Sequence, residues 1–249
     1  MNSLAAHHHY ESNPNGRDFF VGDIHGKHTL LMLALEQINF DYSADRLFSV
    51  GDVIDRGEDS FYCLLLANKN WFIPVVGNHE QFLREIDDNN MYKKFSWYEN
   101  GGGWWENLAV QEKLLAKNII AKNFCLTLSV DTAAGKVGVV HAQYPLEKWP
   151  MHADDINKDN LHKLLWSRDY LRNGHDHLTA GIDFIVSGHT PIRKARLEKQ
   201  LLFIDSGCGH QPNEKRPTPH LTICEFEKNH IKVYAVAEQL FELSKIDIK

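Results

Sequence analysis

Apolar residues along this chain fall into short, uninterrupted runs, and several of those runs end on a glycine followed by Asp, Asn or His. Asp18 to Val21, Arg46 to Val50 and Trp71 to Val76 lack polar alternation, as strands buried on both faces do. Between them, Leu31, Ala34, Leu35 and Ile38 recur at helical spacing within His28 to Asn39. Phe61, Leu64 and Leu65 do the same within Glu58 to Asn68. The N-terminal third therefore predicts a βαβαβ unit with short connections and a parallel sheet. Pro74 removes a ladder donor and marks the third strand as an edge strand or a distorted end.

Further along, Glu80 to Asp87 predicts a helix, and residues 88–121 are less regular until a helix around Glu106 to Lys117. Phe124 to Val130 and Lys136 to Val140 predict a hairpin across residues 131–135. One short helix is expected near Asn160 to Leu165, within an irregular polar stretch. Later strands are expected at Phe184 to Val186, Leu201 to Ile204, His220 to Phe226 and Ile231 to Val236, the last two joined over Lys228 and Asn229. Residues 1–16, rich in His, Asn and Ser, predict a flexible or loosely packed arm. Residues 17–249 predict a single domain with no internal repeat. His7, His8 and His9, native or a tag remnant, are left out of the fold argument.

Composition narrows the class. At 43% hydrophobic and 24% charged, the chain matches an ordinary globular protein. A net charge of -6 without a basic stripe argues against nucleic acid as the main partner. No apolar run approaches the roughly 20 residues of a membrane span, so no membrane partner is expected. The absence of an apolar signal region and four scattered cysteines, Cys63, Cys125, Cys208 and Cys224, suit the cytoplasm. Oligomeric state is left open.

The run endings carry the chemistry. They are Gly22-Asp23-Ile24-His25-Gly26, Gly51-Asp52-Val53-Ile54-Asp55-Arg56-Gly57, Gly77-Asn78-His79-Glu80, Val140-His141 and Gly188-His189-Thr190. A lone Asp or His after a strand is more often a turn or cap residue. Five such endings together point to one site assembled at the carboxyl ends of strands, where α/β sheets collect ligands. Asp23, His25, Asp52, Asn78, His141 and His189 offer carboxylate, amide and imidazole donors. That donor set suits Mn, Fe or Zn better than copper or an iron–sulfur cluster.

In order and spacing these motifs resemble the calcineurin-like metallophosphoesterase superfamily. Within it the chain is most similar to the bacteriophage lambda-type and bacterial serine/threonine protein phosphatases. The resemblance runs from about Phe19 to Gly207 and includes Asn100-Gly101-Gly102-Gly103-Trp104 and Trp166-Ser167-Arg168. It implies an α/β fold, a β-sandwich of mixed sheets flanked by helices in αββα layers. It implies two divalent metal ions, Mn foremost, sharing a hydroxide. Asp23, His25 and Asp52 would hold one metal; Asp52, Asn78, His141 and His189 the other. His79 would protonate the leaving oxygen with Asp55 holding its ring, and Arg56 and Arg168 would clamp the phosphoryl oxygens. The formal charge of such a site is positive, which complements a monoester dianion better than a diester monoanion.

The implied activity is hydrolysis of phosphoserine and phosphothreonine in proteins, with other phosphorylated side chains within reach. A dinucleoside tetraphosphate hydrolase of the same superfamily is the alternative, and a non-catalytic phosphate-binding module a weaker one. For Arg168 an ordinary surface arginine is the secondary reading beside the clamp. The Gly101 to Trp105 stretch is either a substrate-shaping loop or a tight turn with buried aromatics. His175 and His177 are expected to be exposed, and Cys208 inert.

Overall fold

A computed structural model describes residues 4–86, 90–174, 178–214 and 216–248. In chain order the strands are β1 (Ala5–Tyr10), β2 (Asp18–Val21), β3 (Arg46–Ser49), β4 (Phe72–Pro74), β5 (Cys125–Thr132) and β6 (Gly135–Val139). They continue as β7 (Phe184–Ser187), β8 (Arg196–Glu198), β9 (Leu201–Phe203), β10 (Leu221–Glu227), β11 (His230–Ala237) and β12 (Leu240–Asp247). The helices are α1 (His28–Gln37), α2 (Ser60–Leu65), α3 (Asn78–Glu85), α4 (Met91–Glu99), α5 (Val110–Asn123), α6 (Lys158–Trp166) and α7 (Asp169–Asn173).

Two six-stranded mixed sheets run β1-β5-β6-β7-β9-β8 and β12-β11-β10-β2-β3-β4. Successive residues of a strand face opposite sides. Phe20, Phe48, Val139, Val186 and Leu202 accordingly join one apolar cluster fed by both sheets. Phe19, Val21, Leu47 and Ile185 join a second cluster, with α1, α2 and α5 side chains such as Leu31, Leu64 and Ile120. The result is two sheets face to face with helices outside. Runs without alternation follow directly from it, since both faces of the inner strands are dry. β2, β3 and β4 are parallel, and β4, with Pro74, is the sheet's edge. Among the described residues no helix is long and apolar enough to cross a membrane.

The expected arm is corrected at residues 5–10. β1 pairs in parallel with β5, and its polar side chains find partners 120 residues away that no local pattern reveals. His7 Nδ1 lies 2.9 Å from Thr127 Oγ1, whose own proton goes to the Ala6 carbonyl, so Nδ1–H donates. His7 Nε2 then accepts from the Ser129 hydroxyl, 3.0 Å away. Four more elements escape the pattern; α7 is five residues long and buries none of them. α4 buries only Trp97, so it shows no apolar face. β8 is three residues long, and β12 is an edge strand largely open to solvent. The helix expected from Glu106 starts later, at Val110, where Glu112 accepts the Ala109 N–H. The hairpin turn shortens to Ala133 and Ala134, because Asp131 pairs with Lys136 and Thr132 with Gly135. His175, His177 and the expected helix end at Asp87 lie outside the described residues.

His7 makes β1 pH-sensitive. Burial and the neighbouring His9 and His8 push its pKa down to about 4. The unfolded chain therefore takes up the proton first as pH falls, so His7 stabilises above its unfolded pKa of roughly 6.5 and that stability is lost between there and about 4. With partial solvent screening the loss is about 1–2 kcal/mol. Amide exchange in β1 is expected to accelerate between neutral pH and pH 5, after correction for intrinsic exchange. His7→Gln should flatten that dependence; an unchanged profile would remove His7 from it.

Candidate metal centre

Six parallel-strand ends converge from the two sheets. β2, β3 and β4 lead to Asp23, Asp52 and Asn78, and β6, β7 and β9 lead to His141, His189 and Asp205. The recurrent glycine has a steric cause. A Cβ on Gly77 would sit 2.2 Å from Asp52 Oδ1, and one on Gly188 would sit 2.0 Å from Asp23 Oδ1. Each glycine thus leaves room for the carboxylate of a neighbouring strand. Turning the chain so sharply also forces left-handed backbone on residues that disfavour it: His25 (φ 47), Asp52 (φ 49), Asp55 (φ 73), Arg56 (φ 68) and His189 (φ 66). Such conformations cost about 1–3 kcal/mol each and concentrate at functional sites.

Asp52 is central. Its Oδ2 lies 3.4 Å from His141 Nε2 and 3.8 Å from both His25 Nε2 and His79 Nε2. Asn78 Oδ1 is 2.9 Å from His141 Nε2 and 2.9 Å from His189 Nδ1. Asp23 Oδ2 stands 3.9 Å from His25 Nε2. The tightest groups are His25–Asp52–His79 and Asp52–His141–His189, all buried and sharing Asp52. Backbone carbonyls hold the outer ring nitrogens: Ile54 for His25, Val50 for His141 and Trp166 for His189. Fixing the outer N–H turns the opposite nitrogen's lone pair inward, as metal-ligating histidines require.

Burial lowers the pKa of His25 and His141 and takes His189 down to about 3, which keeps these rings neutral. For Asp52 burial acts upward, but the positive charge that the His141, His79 and His25 rings can take up, with the His79 backbone N–H, outweighs it and holds the carboxyl below the usual range. Asp23 is raised well above that range by burial and by the charges of Asp205 and Asp52; burial also raises Asp205, to about 6. Buried like charges held together in this way are relieved by a bound cation. Neutral imidazoles, an amide oxygen and crowded carboxylates, with donor atoms within 4.8 Å in each tight group, fit divalent metals.

Around this cluster stand groups whose contacts the motifs do not spell out. Asp55, fully buried, receives His79 Nδ1 at 2.6 Å on Oδ2, and the Trp97 indole N–H at 2.6 Å on the same oxygen. Its Oδ1 receives the Trp104 indole N–H, also at 2.6 Å. The Gly101 to Trp105 stretch enters a short 3-10 helix, Gly102–Asn107, from which Trp104 grips a site carboxylate. Burial alone would lower the pKa of His79, yet Asp52 and the bond to Asp55 raise it. Glu80 accepts the backbone N–H groups of Asp52, Val53 and Gly77 at 2.8–2.9 Å and so fixes the Asp52 turn. Asp205 was legible in part, because it follows an apolar run like the other strand ends. Trp97 and His210 carried no such signal. Cys208 is buried, with burial pushing its thiol up to about 12.

Trp104→Phe keeps the ring and deletes the donor to Asp55, leaving a buried carboxylate oxygen short of a partner. A stability loss of about 1–3 kcal/mol is expected in denaturant melts. An unchanged melting midpoint would reduce Trp104 to a packing residue.

Both arginines are at the exposed mouth. Arg56 Nη1 donates to His210 Nε2 at 2.8 Å and to His25 Nε2 at 2.5 Å, and its Nη2 is 3.3 Å from His79 Nε2. His25 Nε2 has one lone pair, so Arg56 and a metal are mutually exclusive partners for it. Arg168 Nε lies 3.4 Å from His189 Nε2, which brings it to the opposite rim of the same cluster.

Two face-to-face mixed sheets with a buried carboxylate–imidazole centre at their strand ends define a double-sheet α/β architecture with a metal-binding site. The family model for calcineurin-like phosphoesterases matches residues 19–225, and the chain belongs to that family. It is 35% identical over 189 residues to serine/threonine-protein phosphatase 1 of Salmonella typhimurium, covering 75% of this chain and 84% of that one. A symmetrical bis(5'-nucleosyl)-tetraphosphatase of Haemophilus influenzae is 39% identical over 67 residues, only 26% of this chain and 24% of the relative. Among solved structures, a protein provisionally assigned as a diadenosine tetraphosphatase superposes with a TM-score of 0.63 at 20% identity, covering 92% of this chain and 98% of the other. That likeness speaks for the fold alone.

Proposed function

We propose that this protein is a metal-dependent phosphomonoesterase acting on phosphoserine and phosphothreonine in proteins. The observation that carries the reading is the extent of likeness. The serine/threonine phosphatase match spans 75% of the chain, whereas the tetraphosphatase match spans 26%.

Asp23, His25 and Asp52 would hold one dication and Asp52, Asn78, His141 and His189 a second, with Mn preferred and Fe or Zn acceptable to the same donors. Bound dications supply Lewis acidity and a nucleophilic water at neutral pH. The chain's own residues do the rest. Arg56 and Arg168 reach over the cluster from opposite rims and bind the phosphoryl oxygens, a task for which the guanidinium fork is suited. His79 presents Nε2 to the leaving oxygen while Asp55 holds Nδ1–H, so the ring is oriented and its protonated form favoured. Trp97 and Trp104 saturate Asp55 and keep its charge in place.

The test is a panel of phosphoserine and phosphothreonine peptides against diadenosine tetraphosphate, on enzyme stripped with chelator and reloaded with Mn. Peptide hydrolysis restored by Mn, with diadenosine tetraphosphate cleaved slowly or not at all, is expected. Preferential cleavage of diadenosine tetraphosphate would transfer the chain to the second reading. Full activity in metal-free enzyme would overturn both.

A further inference from the structure

A cleft of about 690 Å³ lies immediately beside the metal centre, between the loop joining β9 to β10, the start of α1 and the turn between β11 and β12. Leu30, Pro212, Pro217, Pro219 and Leu240 supply its apolar walls, and His210 lines it as well. His210 joins the cleft to the site. Its Nε2 takes the Arg56 Nη1 proton at 2.8 Å, and its ring stands edge-on to that of His25 at 6.1 Å. The preceding Gly209 backs directly onto His25, where a Cβ would come within 2.6 Å of the His25 Cβ. The cleft thus begins one side chain away from the arginine assigned to the phosphoryl group. Its charged lining groups, Lys27 and Glu238, are opposite in sign and give no net preference for a charged ligand.

Resting on the phosphoprotein reading above, we propose that this cleft holds the peptide segment adjoining the phosphorylated residue and selects an apolar side chain there. An extended chain advances about 3.3 Å per residue, so residues one or two positions from the phosphorylated side chain reach a cleft that starts at His210. The three wall prolines have no N–H to offer a peptide backbone, so this wall does not recognise its ligand by strand addition. It offers fixed apolar surface instead, which discriminates by the area it covers and loses little entropy in doing so. Leu30 of α1 and Leu240 of β12, both half-buried in the cleft lining, are the side chains such a ligand would touch without disturbing the metal centre.

The experiment compares two phosphoserine peptides on the Mn-loaded enzyme, one with leucine on both sides of the phosphoserine and one with glycine on both sides, with nitrophenyl phosphate as a substrate lacking flanking residues. Wild type should favour the leucine peptide by about tenfold in kcat/KM, mostly through KM, the scale on which apolar pockets discriminate. Leu30→Gln and Leu240→Gln, made separately, should each cut that preference several-fold while leaving nitrophenyl phosphate turnover unchanged. Equal use of both peptides by wild type, or a preference that survives both substitutions, overturns the cleft assignment and leaves the phosphatase reading standing. Turnover of nitrophenyl phosphate with neither peptide hydrolysed overturns the phosphoprotein reading itself, and the cleft assignment with it.

Discussion

Asp52→Asn is expected to lower kcat on the order of 10⁴-fold or more, the scale on which removal of a central catalytic group falls. Asp52 is the one residue common to both tight groups, and its Oδ2 faces His25, His79 and His141 at once. An asparagine in its place loses the charge and presents an N–H group to whichever side its oxygen does not serve. The fold should persist, because the amide oxygen can still accept the His79 backbone N–H that Asp52 Oδ1 takes at 3.0 Å. Metal analysis separates this substitution from Asp23→Asn. Asp52→Asn should retain little of either metal, while Asp23→Asn, whose carboxylate stands at one side beside His25, should keep about one of the two. Full occupancy of both sites in Asp52→Asn would remove the bridging role.

The second large effect concerns His79 and depends on the leaving group. A serine or threonine alkoxide departs poorly without a proton, and general acid catalysis contributes roughly 10²–10⁴-fold. Nitrophenolate leaves without that help. His79→Asn should therefore cost about 10²–10⁴-fold on a phosphoserine peptide and distinctly less on nitrophenyl phosphate, in single-turnover rates that exclude product release. The asparagine amide can still donate towards Asp55, so the Trp97 and Trp104 contacts should survive. Because His79 Nε2 also lies 3.8 Å from Asp52, metal content must be measured on the same preparation. An equal loss on both substrates with both metals bound would make His79 a positioning group, and complete metal loss would make it a ligand.

The two largest effects fall on residues that stand at strand ends, and strand ends were the legible part of this chain. A strand buried on both faces announces itself as an apolar run, and the residue after it is free to be polar because it leaves the sheet. Where that residue is Asp, Asn or His behind a glycine, the type is dictated by donor chemistry and the glycine by the close carboxylate next door. The inner strands and the amphipathic helices α1 and α2 were readable for the same reason: their periodicity records a buried face. β1 was misread as an arm because half its surface is wet and its histidines look like solvent-facing residues. β12 and α4 were passed over because neither buries a continuous apolar stripe.

The sequence by itself determined the elements of the double-sheet core and the donor types gathered at its strand ends, since burial and coordination each restrict residue type locally. Only the tertiary structure decided which groups hold those donors in place. Asp55 sits 42 and 49 residues from the two indoles that grip it, and His210 is 154 residues from the arginine it supports. Contacts of that kind leave no period and no spacing rule. A tryptophan that donates one proton to a buried carboxylate is, in sequence, like any tryptophan in a core, and a histidine on a loop is like any exposed histidine until the fold brings its ring to the arginine.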